Sequence, residues 1–196
     1  MPADAILLRN GRERVGAPVG DRLLCELPAL ASPEFEGELA RAMALGPAAV
    51  VLPCVECGAD LQQLGSRLAV QEAEGGLPDG STRILTWAAE TPKAALILPS
   101  LVGASRRLAA LIWDGERLAQ AAGIRADTSA LVSIESQVVL AARACGVPAL
   151  HHSTDAAGSD PATRFRHLRG RGFGGVILDR SAQAPHLVSL ANAIFG

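Results

Sequence analysis

Short apolar runs alternate along this chain with longer stretches in which apolar residues recur every three or four positions. The runs Ala5–Leu8, Arg22–Leu27, Ala48–Leu52, Arg83–Trp87, Ala109–Trp113, Ala149–Leu150 and Gly175–Leu178 are rich in Val, Ile or Leu and often bounded by Gly or Pro. That combination predicts strands. The stretches between them predict helices. From Pro33 to Leu45, apolar Phe35, Leu39, Met43 and Leu45 are separated by Glu34, Glu36, Glu38 and Arg41. From Cys57 to Gln71 the stripe is Leu61, Leu64 and Leu68; from Ser129 to Cys145 it is Leu131, Ile134, Val138 and Leu140, stopping at Gly146. Asp160 and Pro161 open a further helix, as N-cap and first helical residue. Strand–helix alternation sustained along a chain builds a parallel sheet with helical crossovers.

Composition narrows this picture. A length of 196 residues suits one domain, and 49% apolar against 19% charged residues excludes a disordered chain. With 3% aromatics and no tyrosine, the core must be aliphatic. The net charge of -2, from 18 basic and 20 acidic side chains, leaves no basic footprint for nucleic acid or for an anionic membrane. No apolar run approaches the roughly 20 residues of a membrane span, and the N-terminus lacks the pattern of a secretory signal. Four cysteines in a chain large enough to need no staples set the expectation of a reduced, cytoplasmic protein.

Two closures of a parallel sheet are open: a doubly wound sheet or a TIM-type (β/α) barrel. The first strand is followed by Arg9-Asn10-Gly11-Arg12, which is no dinucleotide fingerprint, and no phosphate-loop motif occurs. The balance moves to the barrel, where chemistry sits at the C-terminal strand ends. The residues to consider are Arg9–Arg12, Cys25–Pro28, Pro53–Cys57, Ala88–Lys93, Trp113–Arg117, His151–Asp155 and Asp179–Arg180.

At those strand ends four stretches carry a resemblance. Ala49–Leu61 (AVVLPCVECGADL) is similar to "VVLPKVES-x-x-DL", Ile84–Leu96 (ILTWAAETPKAAL) to "LIALIETARGVL", Arg107–Ala119 (RLAALIWDGERLA) to "RLDALMFGAEDLA", and Gln137–Pro148 (QVVLAARACGVP) to "RVVLAARAAGV". In order and spacing they resemble the citrate lyase beta-subunit family of HpcH/HpaI-type aldolases. The resemblance implies a TIM-type barrel and a carbon–carbon lyase acting on a small 3-hydroxy acyl thioester of citryl, malyl or citramalyl type, attached to coenzyme A or a carrier. It also implies magnesium held by a Glu and an Asp, which with an arginine stabilises the enolate oxygen.

The family's metal-binding glutamate falls on Glu90, which is present, but its aspartate falls on Arg117. The arginine of the family's "VRVN" strand falls near Cys25, the lysine of "LPKVES" on Cys54, and the acidic "DLED" on Arg9–Arg12. The "HP" near its last strand falls on Asp179-Arg180, while Glu56 matches the glutamate of "KVES". The resemblance thus assigns Glu90 as the metal ligand, Glu56 and Arg117 as catalytic, and Cys25, Cys54 and His151 as substrate-binding. A guanidinium beside Glu90 is expected to take the metal's position and to pair with that carboxylate bidentately, so magnesium binding is expected to be lost or weakened.

Each sharper reading has a plainer one beside it. Cys25, Cys54, Glu90 and His151 or His152 around one mouth could hold zinc, or the small side chains could simply fill space left by lost Arg and Lys. His151 and His152 point to opposite sides of a strand, so at most one faces the mouth as an acid–base group; the plain expectation is one packed and one exposed. Trp87 and Trp113 are expected to fill the barrel. Against a typical barrel of about 250 residues, seven strand candidates imply a missing first βα unit, with either a seven-stranded closure or a seam covered by another protomer in a homo-oligomer. Two functions are therefore carried forward: a C–C lyase with a degenerate metal site, or a non-catalytic barrel that binds a small acid or acyl thioester or serves as an assembly subunit.

Overall fold

The computed structural model describes residues 6–9, 23–153, 160–178, 190 and 193–194. Expectations that involve Asn10–Arg12, Thr154, Asp155, Asp179 and Arg180 lie outside these residues. Seven strands, β1 (Ile6–Arg9), β2 (Leu23–Glu26), β3 (Ala49–Leu52), β4 (Arg83–Ala88), β5 (Leu108–Trp113), β6 (Ala149–Ser153) and β7 (Gly175–Leu178), pair in chain order. Every pair is parallel. The sheet curls with helices on its outer side, a TIM-type α/β barrel architecture lacking a unit. Among the described residues β1 and β7 do not pair with each other.

The crossovers are α1 (Phe35–Ala44), α2 (Gly58–Glu74), α3 (Pro92–Leu96) with a 3-10 turn at Leu98–Leu101, α4 (Gly115–Ala122), α5 (Ser129–Ala144) and α6 (Pro161–Gly170). All seven expected strands and the helices at α1, α2, α5 and α6 are present. The hydrophobic pattern did not predict α3 and α4, because both are too short to show a repeat. Their signals are in the caps instead. Thr91 Oγ1 accepts the Ala94 N–H before Pro92, and Asp114 accepts the N–H groups of Glu116 and Arg117.

Both faces of the sheet are apolar. Inside the curl Ala49, Val51, Leu85, Trp87, Ala110 and Ile112 form one cluster, joined by Leu24, Leu150 and Ile177. Outside, Val50, Leu52, Ile84, Leu111 and Trp113 pack against Leu39, Leu61, Leu64, Leu68, Leu118 and Val138 of the helices. Trp87 fills the interior as expected. Trp113 corrects that expectation, because its indole lies in the sheet–helix layer. The register explains the difference: Ile84 pairs with Leu108 but Leu85 with Ala110, so β5 carries one extra residue, Ala109. This bulge, uncommon between parallel strands, reverses the alternation beyond it. Where α2 begins, only glycine fits: a Cβ on Gly58 would lie 2.2 Å from the Ser100 carbonyl oxygen.

Away from the C-terminal strand ends lies a buried polar knot. Glu72 of α2 is fully buried and pairs with Arg107 (2.9 Å), while accepting the N–H groups of Gly80 (2.8 Å) and Thr82 (2.7 Å). Asp79 caps the other side of the Arg107 guanidinium. Burial alone would raise the Glu72 pKa, but the Arg107 hydrogen bond and the two backbone donors overcome it and bring it from 4.5 down to about 2. Folded Glu72 thus sheds its proton at lower pH than the unfolded chain. Its stabilisation is complete above about pH 4.5 and disappears as the pH falls through about 2. We predict that Glu72→Gln costs on the order of 3 kcal/mol at pH 7, and that urea titrations show this difference shrinking steadily between pH 5 and pH 2. A pH-independent difference would refute the linkage.

Candidate functional site

The inward side chains at the C-terminal ends of β2, β4, β5 and β6 converge on one guanidinium. Asp114, the first residue after β5, caps α4 through its carboxylate, with Glu116 N–H at 3.0 Å and Arg117 N–H at 3.2 Å. That short helix carries Arg117 back over the mouth. Arg117 Nη1 donates to Glu90 Oε1 at 2.6 Å, Nε lies 3.3 Å from Asp114 Oδ2, and Nη2 lies 3.9 Å from Glu26 Oε1. Its guanidinium carbon sits 4.0 Å from the centre of the Trp87 ring, a cation–π contact. The indole N–H donates to Glu26 Oε1 at 2.8 Å. His152 completes the group: Nδ1 lies 2.8 Å from Asp114 Oδ2, and its ring meets Trp87 edge-on at 5.2 Å.

Backbone geometry supports the arrangement. Ala89 and Cys54 adopt positive φ (60° and 55°), a left-handed conformation that costs a non-glycine residue about 1 kcal/mol. Ala89 immediately precedes Glu90, and the Cys54 N–H donates to Glu90 Oε2. Both strained residues therefore bear on how one carboxylate is held.

The electrostatics follow from this packing. Burial works against a charged Arg117, but Glu90 first, then Glu26 and Asp114, more than offset it and raise its pKa above the ordinary value. Burial likewise pushes the Asp114 carboxyl up, and the hydrogen bond from His152, the Arg117 N–H and the two neighbouring side-chain charges bring it below the usual aspartate value. The Cys54 thiol is raised, chiefly by burial and then by the Glu90 charge, so it is a thiol rather than a thiolate near neutrality.

The sequence-predicted residues divide sharply. Glu90 and Arg117 are brought together with Cys54 beside them, but the pairing is not bidentate: the guanidinium is shared among three carboxylates. Glu56 sits on the rim, 2.6 Å from the Lys93 ammonium, with both side chains exposed. Cys25 is buried at 4% exposure within the sheet–helix layer, and its thiol pKa is raised by burial. His151 faces that same layer, edge-on to Phe173 at 5.1 Å, and burial lowers its pKa to about 4. The expectation of Cys25 and His151 at the mouth is therefore corrected. Their chain neighbours Glu26 and His152 point there instead. The expectation of one packed and one exposed histidine also changes: His152 is buried and His151 half-buried. The zinc set does not converge, and no cluster of three or more His, Cys, Asp or Glu suited to a metal exists among the described residues.

A family profile described as HpcH/HpaI aldolase/citrate lyase matches residues 22–167. The chain belongs to this family. Solved structures show the same aldolase/lyase-type fold. RipC from Yersinia pestis is similar over 89% of this chain and 77% of its own, at 20% identity and TM-score 0.73. A citrate lyase from Burkholderia xenovorans LB400 matches 89% of this chain and 57% of its own, at 14% identity and TM-score 0.76. CitE from Mycobacterium tuberculosis, in complex with magnesium, acetoacetate and coenzyme A, matches 99% of this chain and 73% of its own, at 18% identity and TM-score 0.70. No curated protein sequence matches the chain.

Magnesium needs near-octahedral oxygen ligands at about 2.0–2.1 Å, and the residues here do not fit it. Glu90 gives one oxygen to Arg117 and the other to the Cys54 N–H. Asp114 gives one to the α4 cap and the other to His152 and Arg117. Glu26 Oε1 accepts the indole. Because Asp114 serves two purposes, two substitutions separate them. Asp114→Ala is expected to cost about 1 kcal/mol for the cap and a further ~1–3 kcal/mol for the abandoned partners. Asp114→Asn keeps the cap and should recover about 1 kcal/mol in urea unfolding; equal losses would show that the cap contributes nothing.

Proposed function

We propose that this chain is a carbon–carbon lyase of the aldol or Claisen type, acting at the strand-end cluster on a small 3-hydroxy acid carried as an acyl thioester. Membership of an aldolase/citrate lyase family supports the reaction class. The acids, coenzyme A and oxaloacetate bound by the Mycobacterium tuberculosis relatives support the ligand class.

The observation that carries the reading is the placement of Arg117, a fixed positive charge on the inner face of the mouth. Splitting the bond between the carbon bearing the hydroxyl and the carbon next to the thioester carbonyl turns the hydroxyl into a carbonyl. The electron pair passes to the thioester side as an enolate, and the hydroxyl proton must be taken up. Arg117 serves the enolate oxygen: at 3.9 Å from Glu26, Nη2 is beyond hydrogen-bonding reach of that carboxylate and retains an N–H to give. The side chain is 30% exposed, enough to be met by a ligand. His152 serves the proton, oriented at Nδ1 by Asp114 as an acid–base histidine should be. Cys54 on the rim contacts the acyl group as a neutral thiol. Glu56 and Lys93 border the entrance.

One observation favours a second reading, in which the barrel binds such an acid or thioester without turning it over. Three carboxylates surround Arg117 and neutralise much of its charge. Assays of citryl-, malyl- and citramalyl-coenzyme A decide between the two. The lyase reading expects cleavage that falls about 100-fold or more in Arg117→Ala and comparably in His152→Ala. Binding of these thioesters with no cleavage would overturn it and establish the second reading.

A further inference from the structure

We infer that Arg117 is this chain's replacement for a divalent cation, and that its side chain excludes magnesium and manganese from the mouth. The inference shares its location with the proposed function but does not require that any substrate be turned over.

Three independent features support it. The first is position. Glu26 from β2, Glu90 after β4 and Asp114 after β5 reach the mouth from three separate elements, and the group among them is one guanidinium. A cation entering there would have to displace Arg117, which also lies on the face of Trp87. The second is the use of lone pairs. Both oxygens of Glu90 and both of Asp114 are engaged by N–H donors, the Cys54 and α4 backbones among them. Those backbone donors cannot be withdrawn without breaking the loop after β3 or the first turn of α4. The third is charge type. A guanidinium directs its N–H groups in one plane over fixed angles, whereas magnesium asks for oxygens on six sides. The carboxylates here lie beside three different nitrogens of Arg117, with the Trp87 ring centre 4.0 Å from its guanidinium carbon.

The consequence is a mouth whose positive charge is covalently built in, independent of metal supply and of chelators. The test uses the full chain with magnesium chloride alone and manganese chloride alone, followed by calorimetry and, for manganese, by electron paramagnetic resonance. The unmodified protein should show no binding up to millimolar metal, and its melting temperature should not move with either salt beyond the shift that sodium chloride gives at equal ionic strength. Arg117→Asp places a second carboxylate beside Glu90 and should gain metal affinity at least 100-fold, with a metal-dependent rise in melting temperature. Arg117→Gln, which removes the charge but keeps a polar, though shorter, side chain, should gain a smaller amount. Micromolar binding by the unmodified chain that is lost in Glu90→Gln would overturn the inference. So would the absence of any gain in both Arg117 variants when circular dichroism shows them folded. Loss of thioester cleavage in the assays above would leave these readouts unaffected, so the two proposals fail separately.

Discussion

A parallel sheet that is apolar on both faces has nowhere along its strands to keep a charge. Inside the curl the space is taken by Trp87, Ile112, Val51 and Leu85; outside it by the leucines of α2 and their neighbours. Charged side chains are therefore driven to the strand ends, and each end adopts its own solution. Toward one end, Glu72, Arg107 and Asp79 tie α2 to β4 and β5 in a knot closed by backbone N–H groups. At the other end, Glu26, Glu90, Asp114, Arg117 and His152 meet around an indole edge and face. The first cluster is structural, with Glu72 and Arg107 buried. The second keeps a partly exposed cation, which is the mark of a place that can meet a ligand.

Within this family fold the chain keeps an aliphatic packing framework around a mouth whose polar centre is a guanidinium. Arg117 supplies the positive charge there and takes Glu90, Asp114 and Glu26 as its partners. Its position is fixed locally, because Asp114, three residues earlier, both starts the helix that carries Arg117 and contacts its guanidinium.

Much of the architecture was legible in the sequence, for a physical reason. Strand length, helix periodicity and the caps at Asp160 and Gly146 are local properties, and they placed seven strands and four helices correctly. Glu90 and Arg117 were legible because they sit in stretches whose order matches the family. What failed was parity. The sequence points to Cys25 where Glu26 faces the mouth, and to His151 where His152 does. On a strand with one wet face, alternation of polar and apolar residues reveals which side is which. Here both sides are dry, so Leu23-Leu24-Cys25-Glu26-Leu27 carries no such mark. Trp113 was misplaced for the same reason, compounded by a bulge that composition cannot announce. The convergence of Glu26, Glu90 and Asp114 on one cation joins residues as far as 88 positions apart in sequence, and only the sheet order brings them together.

The bulge at Ala109 has a further meaning. By adding one residue to β5 it sets the phase of everything after it, so that Trp113 turns outward and the Asp114 carboxylate turns inward to His152 and Arg117. Were Ala109 drawn into the regular ladder instead of bulging out of it, the composition of the strand would be unchanged, yet an indole would turn toward the mouth and a carboxylate toward the apolar helix layer. The chemistry of this mouth is thus written partly in how one strand pairs with its neighbour, and a slip of one residue in that register can rewire it as completely as several substitutions.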